Sequence, residues 1–231
     1  MRSDHCLGRR TQPRDRCVHQ LRRRLDGPWR DPLRQSRRVC AGRAGRPHHP
    51  RLQALHKTIA EGFEPDAIIT DNVQSFLWGK LGYLTLLYAQ ALGQLGIADC
   101  LARPELLPLW RAICGEVHAV AAAIGAGQRA FNGFDPTAFA PGATEVDARR
   151  SVDAMVAFNR PNAKTHSGIW RDLAIRKRRT EVEMQIVPIV TIGAEHGIDC
   201  PKCRKLAAMI HEIEDGKRPL SDDNLLDLLA A

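Results

Sequence analysis

From Arg51 to the C-terminus the apolar residues recur at intervals of three and four, and no stretch alternates apolar and polar residues between turns. A period near 3.6 gathers apolar side chains on one stripe of a helix, whereas a half-buried strand needs a period of two. The pattern therefore predicts an all-α body. A short amphipathic segment covers Leu52–Phe63. Thr70, Asp71 and Asn72 offer caps for a long helix to about Leu92, with Leu77, Lys80, Leu81, Leu84 and Tyr88 on one face. After a turn at Gly93–Gly96 and the short segment Ile97–Leu101, Arg103 or Pro104 opens a second long helix through Trp110 and Val117 to about Ile124. Gly125–Gly142, with two prolines, reads as a loop. Further helices are predicted at Thr144–Phe158, Glu181–Gly197 and Pro201–Gly216, with a short one from Asp222.

The first fifth of the chain does not share this pattern. The whole sequence carries a net charge of +8, but residues 1–50 hold 14 Arg and no Lys against 4 Asp, and the remainder is slightly acidic. Met1–Pro50 contains no Ile or Phe, shows neither helical nor strand periodicity, and is interrupted by prolines. It is too poor in apolar surface to offset its ordering entropy, so disorder or poor packing is expected there. Its composition is that of a GC-rich gene read in a wrong frame. That origin is the expectation, ahead of a transit peptide, whose amphipathic helix is missing, or a basic arm for RNA. The domain division is thus 1–50, non-native or disordered, and 51–231, helical.

Several classes are set aside. No secretory signal or membrane span is visible; Phe76–Leu92, read as the most apolar segment, is interrupted by Lys80 and Gln90. Seven cysteines, an odd number without a signal peptide, fit a reduced cytoplasmic setting better than a disulfide framework. Cys200-Pro-Lys-Cys203 has CxxC spacing but no second pair for a zinc site and no βαβ context, and is read as structural. His196 and His211 sit on helices apart from other ligand types. No Gly-x-Gly-x-x-Gly, P-loop or nucleophile elbow occurs.

Two features can carry chemistry. Lys80 lies within an apolar helix, so it must either reach solvent or occupy a pocket with an acidic partner, and burial would bring its amine towards the range useful for proton transfer. Gly79 and Gly82 flank it, each costing about 1 kcal/mol of helix stability relative to Ala; close approach of another backbone or a ligand would account for them. The second feature is Lys164–Glu183, which packs a hydroxyl, an imidazole, the basic run Arg176–Arg179 and Thr180-Glu-Val-Glu183 into twenty residues. Thr180 and Glu183 have the spacing of a capping box. Glu181 is not needed for that box; it suits the positive helix end and could equally hold a lysine or a substrate hydroxyl. Ser167 and His166 could cap the turn Ile169–Ile175.

Asn72-x5-Trp78-x-Lys80, the Ser167–Glu183 segment and the ending Ile213-Glu-Asp-Gly-Lys-Arg-Pro-Leu-Ser-x-x-Asn224 together resemble the C-terminal domain of the ketopantoate reductase (2-dehydropantoate 2-reductase) family of pantothenate biosynthesis, over roughly Arg51–Leu229. The resemblance implies a helical domain like that of 6-phosphogluconate dehydrogenase, which in the family follows an N-terminal Rossmann domain that binds NADPH and is absent here. It implies reduction of a small 2-keto acid, with Lys80 as general acid, Glu181 orienting substrate or lysine, and Ser167 contacting substrate. It also makes the helical domain a candidate homodimer surface. Two family asparagines fall on Leu84 and Tyr88, which cannot reproduce amide hydrogen bonds and so point away from ketopantoate itself. The spacing from Ser167 to Glu181 also exceeds the family pattern. Such a chain is expected to be inactive without a cofactor domain. The alternative is a non-catalytic helical interaction or dimerisation module; nucleic-acid and membrane partners are not expected.

Overall fold

The computed structural model describes the backbone of Cys40–Gly42 and residues 50–230. The described residues are mainly helical, as the periodicity predicts, and the core forms around two long helices. Helix α1 (Pro50–Gly62) lies between strands β1 (Cys40–Gly42) and β2 (Ile68–Thr70), followed by α2 (Val73–Gln90), α3 (Ile97–Leu101) and α4 (Leu107–Ala123). Then come α5 (Glu145–Asn159), α6 (Gly168–Arg171), α7 (Val182–Gln185), α8 (Val187–Glu195), α9 (Pro201–Glu214) and α10 (Asp223–Ala230).

The caps explain several boundaries. Asn72 accepts the Ser75 N–H at 3.1 Å and starts α2, and Thr144 and Asp147 cap each other reciprocally to start α5. Helix α4 packs along α2 and places Leu109, Trp110, Ile113 and Val117 at 0% exposure. Each such side chain contributes roughly 1.5–3 kcal/mol of apolar burial. Together with the preceding 3₁₀ turn, Pro104–Ala123 is the one helix among the described residues long and apolar enough to cross a bilayer. Its apolar residues line the protein core.

Two expectations are corrected, and one small element is added to the all-α body. The predicted helix Glu181–Gly197 is two helices, α7 and α8, broken around Ile186 where Pro188 enters the first turn of the second. The Gly125–Gly142 loop contains a 3₁₀ turn at Pro136–Phe139 and a tight Phe131–Phe134 bridge. At the tip of that bridge Gly133 has φ of +85°, and a Cβ there would meet the Ala154 backbone at 2.6 Å. Finally, the all-α body carries a two-stranded parallel sheet, β1 beside β2, with Cys40, Ala41 and Gly42 opposite Ile68, Ile69 and Thr70. Both strands escaped sequence reading because three residues are too few to show a period. The other expectations for residues 1–49 lie outside the described residues.

Candidate functional site

The face of α2 that carries Lys80 turns gradually from solvent to core. Leu77 is 53% exposed and Lys80 is exposed, Leu81 and Leu84 are half-buried, and Tyr88 is fully buried. Lys80 has reached solvent, and among the described residues no hydrogen bond or ion pair engages its ammonium group. Its flanking glycines serve a neighbouring segment. A Cβ on Gly79 would stand 2.0 Å from the Arg129 carbonyl oxygen, and one on Gly82 would meet the Phe134 ring at 2.7 Å. Arg129 N–H donates to Ser75 O at 2.8 Å and Gln128 Nε2 to Trp78 O at 3.0 Å, so the loop after α4 is hydrogen-bonded onto the helix that carries Lys80.

Two turns further along α2, the Tyr88 hydroxyl donates to Gln185 Oε1 at 2.9 Å, and Gln185 Nε2 donates to Glu181 Oε2 at 2.7 Å. Burial first, and then the adjacent Glu181 carboxylate, push the Tyr88 phenol well above its ordinary range. Glu181 is exposed and is reached by the amide of Gln185, a residue the sequence reading did not single out. Its only sequence signal is the four-residue spacing from Glu181, which puts both on one helix face.

Thr180 and Glu183 do not form the predicted capping box. The Thr180 N–H and O–H both donate to Glu214 Oε1, at 2.7 and 2.8 Å, while Glu183 pairs with His211 Nε2 at 2.8 Å. Glu214, on α9 with its side chain 1% exposed, also receives Arg179 and His211 Nδ1, at 3.2 and 3.0 Å. Burial alone would raise the Glu214 carboxyl, but hydrogen bonds from Thr180 and His211 outweigh it and hold the group below the usual range. His211 is thus held between two carboxylates rather than isolated. A buried carboxylate presented by α9 out-competes the local cap because it satisfies several donors at once.

Ser167 is 1% exposed and caps α6, accepting the Trp170 N–H at 3.0 Å. Its neighbours attach to the turn after α2: Trp170 Nε1 donates to Gly93 O at 3.0 Å, and His166 Nε2 meets Gln94 O at 3.1 Å. Along α2 the candidates therefore follow in order: Lys80, then Tyr88 with Glu181, then the turn that holds Ser167. The rise from Lys80 to Gly93 is about 20 Å. The geometry groups Glu181 with Tyr88 and leaves Lys80 and Ser167 towards opposite ends.

The basic run is largely neutralised. Arg176 and Arg178 clamp Asp172 at 2.6 and 3.0 Å, around a π-helical turn ending at Lys177 in the left-handed region with φ of +52°. A cleft of about 670 Å³ lies between this turn and Glu214–Leu220, lined by Lys177, Arg178, Arg179 and Arg218 among others; none of Lys80, Ser167 and Glu181 lines it. The CxxC pair has a structural role. Cys200 and Cys203 open α9 as buried free thiols, and Glu116 on α4 accepts the Lys202 and Cys203 N–H groups, both at 2.8 Å. Burial, then the Glu116 charge, raise both thiols, Cys200 to about 11. Among the described residues no group of three or more His, Cys, Asp or Glu is placed to hold a metal ion.

Gly125-Ala-Gly-Gln-Arg-Ala130 has glycines at dinucleotide-loop spacing, but it follows a helix rather than a strand. Its Gln128 and Arg129 are committed to α2.

The architecture has solved counterparts. A D-mandelate dehydrogenase, in a ternary structure with NADH and anilino(oxo)acetate, superposes with a TM-score of 0.57 at 17% identity, over 74% of this chain and 50% of that one. A PanE/ApbA family ketopantoate reductase from Ralstonia eutropha JMP134 superposes with a TM-score of 0.56 at 26% identity, over 80% and 54% respectively. The chain thus spans about half the length of these proteins. No curated protein sequence matches it. The family model for the ketopantoate reductase PanE/ApbA C terminal matches residues 72–214, which takes in α2 with Lys80, Ser167 and the Glu181 turn, and so the chain belongs to that family.

Proposed function

We propose that this chain supplies the substrate-binding half of an NADPH-dependent oxidoreductase that reduces a small 2-keto acid to the 2-hydroxy acid. The observation that carries the reading is the placement of Lys80. Within the family-matched region, it stands on α2 as an exposed ammonium with no competing partner among the described residues, at the open end of a stripe leading to Glu181. Lys80 would donate the proton taken up by the carbonyl oxygen. Glu181, held by Gln185, would accept a hydrogen bond from a substrate hydroxyl or from Lys80 itself. Ser167, committed to its helix cap, would serve only through its remaining hydroxyl capacity at the distant end. The cofactor supplies hydride when bound, and the described residues do not hold it. Half-buried Leu84 and buried Tyr88 face the stripe without free amides, which favours a keto acid with an apolar side chain over ketopantoate. Among the described residues, four buried free thiols agree with a reducing, cytoplasmic setting.

The test is a covalent fusion of the full chain behind the nucleotide-binding half of the Ralstonia eutropha reductase, assayed by NADPH oxidation against 2-keto acids of graded side-chain polarity. The fusion should turn over, Lys80→Ala should lower kcat by about 10²–10⁴-fold, and the chain alone should show no turnover. Reduction by the chain alone would remove the half-enzyme reading. An inert fusion, or a fully active Lys80→Ala variant, would remove the catalytic one and leave a helical interaction module.

A further inference from the structure

We propose that Tyr88 and Gln185 are positioning residues for Glu181, holding one of its carboxylate oxygens so that the other meets the substrate in a fixed orientation. The meeting with substrate rests on the proposed function; the hydrogen-bonded relay does not.

An exposed glutamate samples many rotamers, and ordering it costs conformational entropy. Glu181 is exposed at the start of α7 and is nevertheless held. Gln185, four residues on and so on the same helix face, donates from Nε2 to Glu181 Oε2 at 2.7 Å. A carboxamide can present either its donor or its acceptor end, so a third group must fix its sense. Tyr88 is that group. Its hydroxyl donates to Gln185 Oε1 at 2.9 Å, which turns Nε2 towards Glu181. The reversed amide would set a carbonyl oxygen against the carboxylate, two acceptors with no proton between them. The Tyr88 residue is fully buried on α2, so the relay is anchored in the core. Burial, and then the Glu181 charge, keep its phenol protonated and therefore able to donate.

Local structure does not require this arrangement. Glu181 stands at the N-cap of α7, yet its carboxylate makes no cap hydrogen bond, and among the described residues no ion pair engages it. The main chain entering Glu181 is fixed from another side, because the Thr180 N–H and O–H both donate to buried Glu214. Glu181 is thus braced in its backbone by Glu214 and in its side chain by Tyr88 and Gln185, with Oε1 left unengaged among the described residues. A solvated surface glutamate needs neither brace. An acceptor that must meet a reacting group does, since a misplacement of about 1 Å can cost about 100-fold in rate. The carboxamide between the phenol and the carboxylate carries no titrating proton, so the relay acts through geometry and not as a proton wire.

The test has two arms. In the full chain, side-chain amide NMR should show the Gln185 Nε2 protons exchanging with solvent at least tenfold more slowly than those of exposed Gln74. Tyr88→Phe keeps the buried ring and should abolish that protection, with the helical circular dichroism unchanged. In the covalent fusion, Tyr88→Phe and Gln185→Leu should each lower kcat/KM by about 10–100-fold. In a Glu181→Ala background each should have less than a twofold effect, because the group they position is gone. A residue that only supports the fold would cost the same in both backgrounds. Equal losses in the two backgrounds, or a Gln185 amide that exchanges as fast as that of Gln74, would overturn the proposal and leave keto-acid reduction standing. An inert fusion with a protected Gln185 amide would remove the proposed function, and with it the positioning role, leaving the relay as a structural brace.

Discussion

Gly79→Ala sets two physical effects of opposite sign against each other beside Lys80. Helix propensity alone favours alanine by about 1 kcal/mol. The tertiary structure opposes it, because the new Cβ would lie 2.0 Å from the Arg129 carbonyl oxygen and 2.9 Å from two further backbone atoms of Arg129. Backbone cannot swing aside as a side-chain tip can, so the loop must lift from α2. Lifting it breaks the Arg129-to-Ser75 and Gln128-to-Trp78 hydrogen bonds, about 1 kcal/mol each, and adds overpacking of about 1–3 kcal/mol. The net is a destabilisation of roughly 2–4 kcal/mol, equivalent to a Tm drop of about 5–15 °C for a domain of this size. Urea denaturation followed at 222 nm measures it. Gly168→Ala, where a Cβ meets nothing within 4 Å, is the control and should be neutral or slightly stabilising. A Gly79→Ala protein as stable as the parent, or more so, would show that the loop does not press on α2 as described.

Glu214 should give the fold an acid sensitivity. Its carboxyl is held below its unfolded value, so its contribution is fully present above about pH 4.3 and is lost as pH falls through the folded value. Between pH 5 and 3 the parent should lose more stability than Glu214→Gln, whereas at pH 7 Glu214→Ala, which leaves Arg179, Thr180 and His211 without their shared acceptor, should cost about 2–4 kcal/mol. Equal acid profiles for parent and Glu214→Gln would refute the assignment. The thiols of Cys100, Cys114, Cys200 and Cys203 are buried and raised. Peptide mapping after alkylation at pH 7.5 should find them unmodified in the native protein and fully modified in guanidinium; fast native labelling of Cys200 would reopen a redox role for the CxxC pair.

Local patterns were legible wherever local forces decide. The long helices α2, α4, α5 and α9 follow from apolar spacing and from caps such as Asn72, within a residue or two of the predicted ends once the 3₁₀ turn Pro104–Leu106 is counted with α4. The glycines beside Lys80 were correctly read as marking a close approach, although the sequence could not say that the visitors are the Arg129 backbone at Gly79 and the Phe134 ring at Gly82. The Thr180-Glu-Val-Glu183 segment misled because a capping box and a docking turn share one local pattern; the deciding carboxylate, Glu214, is 34 residues away from Thr180. Gln185 gave no signal of its own, since an amide four residues after a glutamate is ordinary helix surface until Tyr88 is brought against it.

The sequence by itself determined that the body is helical, that Lys80 lies on the first long helix and that Glu181 opens a later one, because periodicity and capping act within a few residues. Only the tertiary structure decided which of those residues meet. It joined Glu181 to Tyr88 through Gln185, left Lys80 exposed at the solvent end of α2, committed Ser167 to a cap, and paired β1 with β2. Those outcomes depend on contacts between segments far apart in the chain, where burial and the satisfaction of polar groups prevail over local preference.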